Sequence, residues 1–357
     1  MSGTVRIMYM GTPDFAVPAL EALAEPAANG SVSRELVSVV TQPDRPRGRG
    51  HRLAPSPVKA RAMEMGLPVA QPESLRGNAE WEETLANAAP DLIVVCAYGR
   101  ILPIETLRYP RLGCVNIHAS LLPRYRGAAP IHRAVESGDS ETGVTLMYMS
   151  EGLDEGDMIA SRSMPIAGID TGGLHEALSK LGAELLMDEF DAIISGTAGR
   201  EPQDSSAATY APPVKKDEGH IDFSADAAAV CRKVRAMTPS PGAYAYLGDE
   251  KIRIWKAEAE PAEQSGLRED YSNNGRFSEG SDRAAAKEPD CAAAKKPDCA
   301  GPPAPGKIIG TDGGTIAVAA GQGETVTITM LQSPGGKPMP ASDWLRGHII
   351  GKDTAFR

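Results

Sequence analysis

The chain has 357 residues, 41% hydrophobic and 24% charged, enough for about two or three domains with substantial cores. Its 37 basic against 47 acidic residues leave a net charge of −10, which excludes a broadly basic, histone-like polyanion binder. No apolar run approaches the roughly 18 residues of a membrane span, and residues 1–11 lack a signal-peptide pattern, so a cytoplasmic protein with no membrane contact is expected.

Residues 5–10 read as a strand, followed by the turn Gly11-Thr12-Pro13-Asp14 and a helical run to about Ala27. A second strand is expected over 36–42, and a helix over 56–66 opened by Ser56-Pro57, a capping residue with proline in the first turn. After a short extended piece at 68–70, residues 78–88 are helical. The run DLIVVCAY (91–98) is continuously apolar, as in a parallel strand covered on both faces. Residues 114–118 and 143–149 repeat that character around a helix at 129–137, and 171–195 is a long helix. This alternation predicts a doubly wound, Rossmann-like α/β domain with its site at the carboxyl ends of the strands.

The pattern breaks where Gly, Pro, Ser and Thr cluster, giving a catalytic domain over 1–200, a linker over 201–213 and a second domain over 214–357. In the second domain a helix over 224–237, capped by Ser224, precedes short strands at 243–258, 307–310, 315–319 and 324–331, the pattern of a small β-barrel. Residues 261–303 interrupt it with an Ala-, Pro- and charge-rich insertion containing the near-duplicates AAAKEPDC and AAAKKPDC, expected to be disordered.

The 5 cysteines form no C-x-x-C and the 6 histidines no zinc spacing, so no metal is expected. There is no G-x-G-x-x-G, no phosphate-binding loop ending in G-K-[ST], and no G-x-S-x-G elbow around Ser120. Asn116 and His118, two apart on a strand, share a face. A carboxamide can donate to a developing oxyanion and an imidazole can move a proton near neutrality. Taken alone, N-x-H is a weak signal, and a lone histidine at a strand end is more often structural. Asp154, flanked by Gly152 and Gly156, could orient that imidazole or simply belong to a solvated acidic turn. Residues 41–61 hold Arg45, Arg47, Arg49, Arg52, Lys59 and Arg61 against the single acid Asp44. Interleaved Pro and Gly make this a loop carrying guanidinium forks suited to phosphate.

NIHASLLPRYRGAAPI (116–131) with GLDEGDMI (152–159) resembles the signature of the 10-formyltetrahydrofolate-dependent formyltransferases. The segments MYMGTPDFAVPALEAL, TQPDRPRGRGHRLAPSPVK and VCAYGRILP narrow the resemblance to members acting on charged initiator tRNA. It extends over residues 5–260 and from about 304 onward. Two departures stand out: Ala119 where the family often has glycine, and the 261–303 insertion. The resemblance implies a Rossmann-like catalytic domain joined to an OB-fold-like barrel that binds tRNA. It implies formyl transfer from 10-formyltetrahydrofolate, as cosubstrate, to the α-amino group of methionyl initiator tRNA, by a monomer. His118 would manage the proton, Asn116 bind the oxyanion and Asp154 orient and charge-stabilise the imidazole. Ser120, Leu121, Leu122 and Pro123 would line the folate pocket, and Arg45, Arg47, Arg49 and Arg52 would meet the tRNA acceptor end. A formyltetrahydrofolate hydrolase or a sugar-nucleotide formyltransferase would share the same three polar residues, but needs neither the arginine loop nor the barrel. A non-catalytic RNA-binding protein would need only those last two.

Overall fold

The computed structural model describes residues 4–26, 33–47, 52–260, 302–351 and 353–357. Its contacts divide the chain into two compact units, residues 1–219 with 235–243, and residues 220–234 with 244–357.

The first unit runs β1 (Val5–Gly11), α1 (Val17–Ala24), β2 (Arg34–Val40), β3 (Arg45–Arg47), β4 (Arg52–Ala54), α2 (Pro57–Glu64), β5 (Val69–Ala70), α3 (Ala79–Ala88) and β6 (Leu92–Cys96). It continues through α4 (Ile104–Arg108), β7 (Cys114–His118), β8 (Arg126–Gly127), α5 (Pro130–Ser137), β9 (Glu141–Tyr148), β10 (Met158–Pro165), α6 (Thr171–Ser195) and β11 (Tyr210–Ala211). Seven strands form one sheet in the order β10-β9-β7-β6-β1-β2-β5. The pairs from β7 to β5 are parallel, and β9 and β10 add antiparallel. This is the expected Rossmann-like domain. Strand order reverses between β1 and β6, so the carboxyl ends at Gly11 and Cys96 flank a topological switch point, where open sheets bind ligands.

β6 is buried at all five positions because both sheet faces are covered. On one face Met8, Met10, Ile93 and Val95 pack with Trp81, Leu85 and Ala88 of α3. On the other, α6 closes on the sheet so tightly that a Cβ on Gly182 would stand 2.7 Å from Ile117 Cγ2. Trp81, 1% exposed, also donates its indole N–H to Thr106 Oγ1 at 2.9 Å. Trp81→Ala is therefore expected to lower unfolding stability by about 3–5 kcal/mol. Chemical unfolding checks this, and a loss under about 1 kcal/mol would mean the site collapses around the gap.

Several elements depart from expectation. Ser56 caps α2 as anticipated, accepting from Lys59 N. Residues 41–61, expected as a loop, contain the hairpin β3–β4, with Arg45 opposite Ala54 and Arg47 opposite Arg52. β10 was not anticipated; it is a half-exposed edge strand with polar residues at its centre, lacking a clear apolar alternation. Residues 201–213, expected as a linker, bridge Met158 through Glu201 and pair β11 with β8.

The second unit holds most of α7 (Ala227–Met237), then β12 (Ala243–Leu247), β13 (Glu250–Glu260), β14 (Ile308–Gly310), β15 (Ile316–Ala319), β16 (Thr325–Gln332), β17 (Met339–Pro340) and α8 (Ala341–Leu345). The strand expected over 243–258 is two strands, because Gly248 at φ +59° supplies a turn. The cap on α7 is Asp226, whose Oδ1 accepts from Ala229 N at 2.6 Å; Ser224 donates instead to Asp222. The antiparallel sheet runs β12-β13-β16-β15-β14, with β17 beside β16. Its two outer strands both meet the segment 355–357: Leu247 bridges Phe356, Lys307 bridges Ala355, and Phe356 N donates to Gly306 O at 2.8 Å. The insertion 261–303, save its last two residues, lies outside the described residues, as do Arg49, Cys291 and Cys299.

Candidate active site

β7 ends on the site. Its alternation turns Cys114, Asn116 and His118 away from α6, whose Gly182 meets the opposite face at Ile117. Asn116 is 8% and His118 7% exposed. The Asn116 carboxamide makes no hydrogen bond among the described residues, so its N–H donors are available to a ligand. The loop after β7 is braced from β9. Thr145, opposite His118 in the sheet register, donates its hydroxyl to Ser120 O at 2.7 Å and accepts from Leu122 N at 3.1 Å. Ser120, 1% exposed, donates to Arg124 O at 2.6 Å. Its hydroxyl thus shapes the loop, while Leu121 and Pro123 are half-buried and Leu122 is buried.

His118 Nε2 lies 2.9 Å from the carbonyl oxygen of Tyr125. A carbonyl can only accept, so Nε2 carries the hydrogen and Nδ1 is the position that takes up a proton. Asp154 Oδ2 faces Nδ1 at 3.6 Å and accepts from Gly127 N at 2.8 Å. The expected group of Asn116, His118 and Asp154 is therefore brought together. A main-chain carbonyl sets the tautomer, while the carboxylate faces Nδ1 from beyond hydrogen-bond length. Tyr125 and Asp154 hold φ of +60° and +53°, left-handed conformations that non-glycine residues keep only where the surroundings over-determine them.

The sheet does not bring Asp154 to His118 unaided. Val115 pairs with Tyr148, and Met149 N donates to Cys114 O at 2.8 Å. Residues 149–157 thus start about 13 Å from His118, at the far end of β7, and double back. Gly127, at φ +108°, has no room for a side chain: a Cβ would stand 2.6 Å from the Tyr210 ring.

At the switch point, Thr12 Oγ1 donates to Tyr98 O at 3.2 Å and Gln42 Nε2 to the same oxygen at 2.8 Å. Gln42 Oε1 accepts from the exposed Arg45 at 2.8 Å. Below that hairpin Asp44 accepts from Lys59 Nζ at 2.7 Å and Gln71 Nε2 at 2.9 Å, and these bonds, Lys59 first, hold its carboxyl below the ordinary value. Gln42, Gln71 and Thr145 were missed from the sequence, where lone amides and a strand threonine carry no signal. The thiols of Cys96 and Cys114 are free, and burial pushes both up to about 12, which removes them as nucleophiles. No group of three or more His, Cys, Asp or Glu among the described residues could hold a metal ion. No helix there is long and apolar enough to cross a membrane.

Residues 5–189 match the family described as Formyl transferase and residues 213–349 its C-terminal domain, and the chain belongs to that family. Relatives similar over nearly the whole chain carry the name Methionyl-tRNA formyltransferase. That of Aromatoleum aromaticum is 42% identical over 99% of this chain and 97% of its own length, and that of Citrifermentans bemidjiense is 42% identical over 98% of each. Among solved structures, an N-formyltransferase from Helicobacter canadensis, in complex with folinic acid and dTDP-3-aminofucose, has a TM-score of 0.56 at 16% identity, over 91% of this chain and 99% of that one. HypX from Aquifex aeolicus in complex with tetrahydrofolic acid has a TM-score of 0.55 at 16% identity over 99% of this chain, which spans 51% of HypX. At those identities the likeness is one of fold.

Proposed function

We propose that this chain transfers the formyl group of 10-formyltetrahydrofolate to the α-amino group of methionyl initiator tRNA. The observation that carries the reading is the convergence of Asn116, His118 and Asp154 in a chain 42% identical, over nearly its whole length, to methionyl-tRNA formyltransferases. The unpartnered Asn116 carboxamide beside the imidazole is what a folate-borne formyl group needs, and the 120–123 loop supplies apolar walls next to it. The cosubstrate brings an activated formyl carbon on a nitrogen that can leave once protonated.

The residues then divide the work. An α-amino group has an ordinary pKa of about 7.7–8.0, so its proton must be removed as it attacks. His118 takes that proton at Nδ1, the position left open by the Nε2–H bond to Tyr125. Asp154 stabilises the resulting imidazolium, which returns the proton to the departing nitrogen. Asn116 donates to the formyl oxygen as negative charge grows there. On the same reading Ser120 holds the loop whose Leu121, Leu122 and Pro123 line the folate pocket. Arg45, Arg47, Arg49 and Arg52 meet the acceptor end. The second unit serves as an OB-fold-like tRNA platform, and the protein works as a cytoplasmic monomer.

The deciding assay mixes purified protein with 10-formyltetrahydrofolate and methionyl-tRNA and follows N-formylmethionyl-tRNA against free formate. Formylated tRNA is expected as the main product; free formate, or transfer to an amino-sugar nucleotide alone, overturns the reading. The arginines have their own test. Replacing Arg45, Arg47 and Arg49 with Ala should raise KM for charged tRNA about tenfold and flatten its log–log salt dependence by about one per lost phosphate contact. An unchanged salt slope would place the hairpin away from the tRNA.

A further inference from the structure

We propose that Gln203 is a positioning residue that holds the Asp154 turn doubled back onto His118. The inference rests on the reading of Asp154 as the charge partner of His118. A single amide joins the two segments that carry the site. Gln203 Nε2 donates to the carbonyl oxygens of Asp154 and Gly156 at 2.8 and 2.9 Å. Its Oε1 accepts from Arg126 Nε and Nη2 at 3.0 and 2.8 Å. All four bonds an amide can make are formed, and the assignment of oxygen and nitrogen is forced, because carbonyls only accept and a guanidinium only donates. Arg126 precedes Gly127, whose N–H holds the Asp154 carboxylate, and its Nη1 lies 3.5 Å from Glu155.

Gln203 sits in a strap tied at both ends. Glu201 exchanges backbone bonds with Met158 at 2.8 and 2.9 Å. Further along, Thr209 Oγ1 accepts from Tyr125 N at 2.8 Å, and Tyr210 and Ala211 pair with Arg126 and Gly127. The strap thus links β10, which follows the Asp154 turn, to the segment whose Tyr125 carbonyl sets the His118 tautomer. Since the sheet register starts that turn at the opposite end of β7, and since Asp154 and Tyr125 both adopt left-handed backbone, a restraint from outside the turn is required. Gly127 N–H and the Arg126 guanidinium hold the carboxylates of Asp154 and Glu155, and Gln203 is the side chain that holds the backbone of the turn, at the carbonyls of Asp154 and Gly156.

The test is Gln203→Glu. The carboxylate keeps both bonds from Arg126 but turns an oxygen toward the carbonyls of Asp154 and Gly156, pushing the turn away. A displacement of this kind should lower kcat about 10- to 100-fold, with KM for both substrates held within about threefold. In an Asp154→Asn background the same change should cost less than about threefold, since the residue it positions no longer acts. A merely structural role would slow both backgrounds alike and lower the unfolding midpoint. A second readout needs no turnover: the ¹⁵N resonances of the His118 ring in the free protein should move in Gln203→Glu. Should that variant fail to fold, Gln203→Met keeps the packing, removes all four bonds and should shift the same observables. Equal losses in both backgrounds, or an unchanged kcat with unmoved ring resonances, overturn the inference. If the unmodified protein forms no formylated tRNA yet the ring resonances move, the proposed function fails and the positioning role stands.

Discussion

Asp154→Asn is expected to slow formyl transfer by about 10²- to 10³-fold while the fold is retained. The substitution conserves shape, and the asparagine oxygen can still accept from Gly127 N, which the carboxylate now meets at 2.8 Å. The charge facing His118 Nδ1 across 3.6 Å is lost. Because Tyr125 already orients the ring, the deficit is not one of a misplaced imidazole but of an imidazolium without a counter-charge. The loss should therefore appear in kcat, with KM for tRNA and folate within a few-fold of the unmodified protein. Single-turnover rates at saturating substrate, with the unfolding midpoint as a control for folding, decide the matter. A decrease under about tenfold would remove Asp154 from the reaction.

Asn116→Ala is expected to cost about 10²- to 10³-fold in kcat, the range for removing one oxyanion donor. The carboxamide has no hydrogen-bond partner among the described residues, so truncation orphans no protein group and the unfolding midpoint should shift little. Asn116→Asp sharpens the test, since it keeps the volume but repels the charge that the amide would bind. It should be at least as impaired as the alanine variant. If KM rises while kcat is unchanged, Asn116 binds substrate without favouring the transition state, and the oxyanion role is wrong.

Much of the candidate site's arrangement is legible in the sequence, and the reason lies in strand geometry. The two-residue spacing of Asn116 and His118 carries its meaning wherever a strand is recognised, and the apolar run before them made β7 recognisable. Glycines around Asp154 signalled a sharp turn, although only the resemblance connected that turn to the histidine. What stayed hidden were contacts made through backbone atoms or by isolated polar side chains. The Tyr125 carbonyl has no signature, because every residue has a carbonyl. Gln203 lies in a stretch whose Gly, Pro, Ser and Thr content reads as a linker; its role exists only once two distant segments meet. The arginine hairpin was obscured in the same way, its Pro and Gly masking the pairing of Arg45 with Ala54.

The segment 355–357 has a consequence for solubility. By bridging both Leu247 and Lys307 it pairs outer backbone donors and acceptors at the last residues of β12 and just before β14 at once. Unpaired strand edges of this kind template association between molecules. Pulling three residues away would therefore unpair backbone on both outer strands rather than one, so this short clip guards both against edge-to-edge association of the second unit.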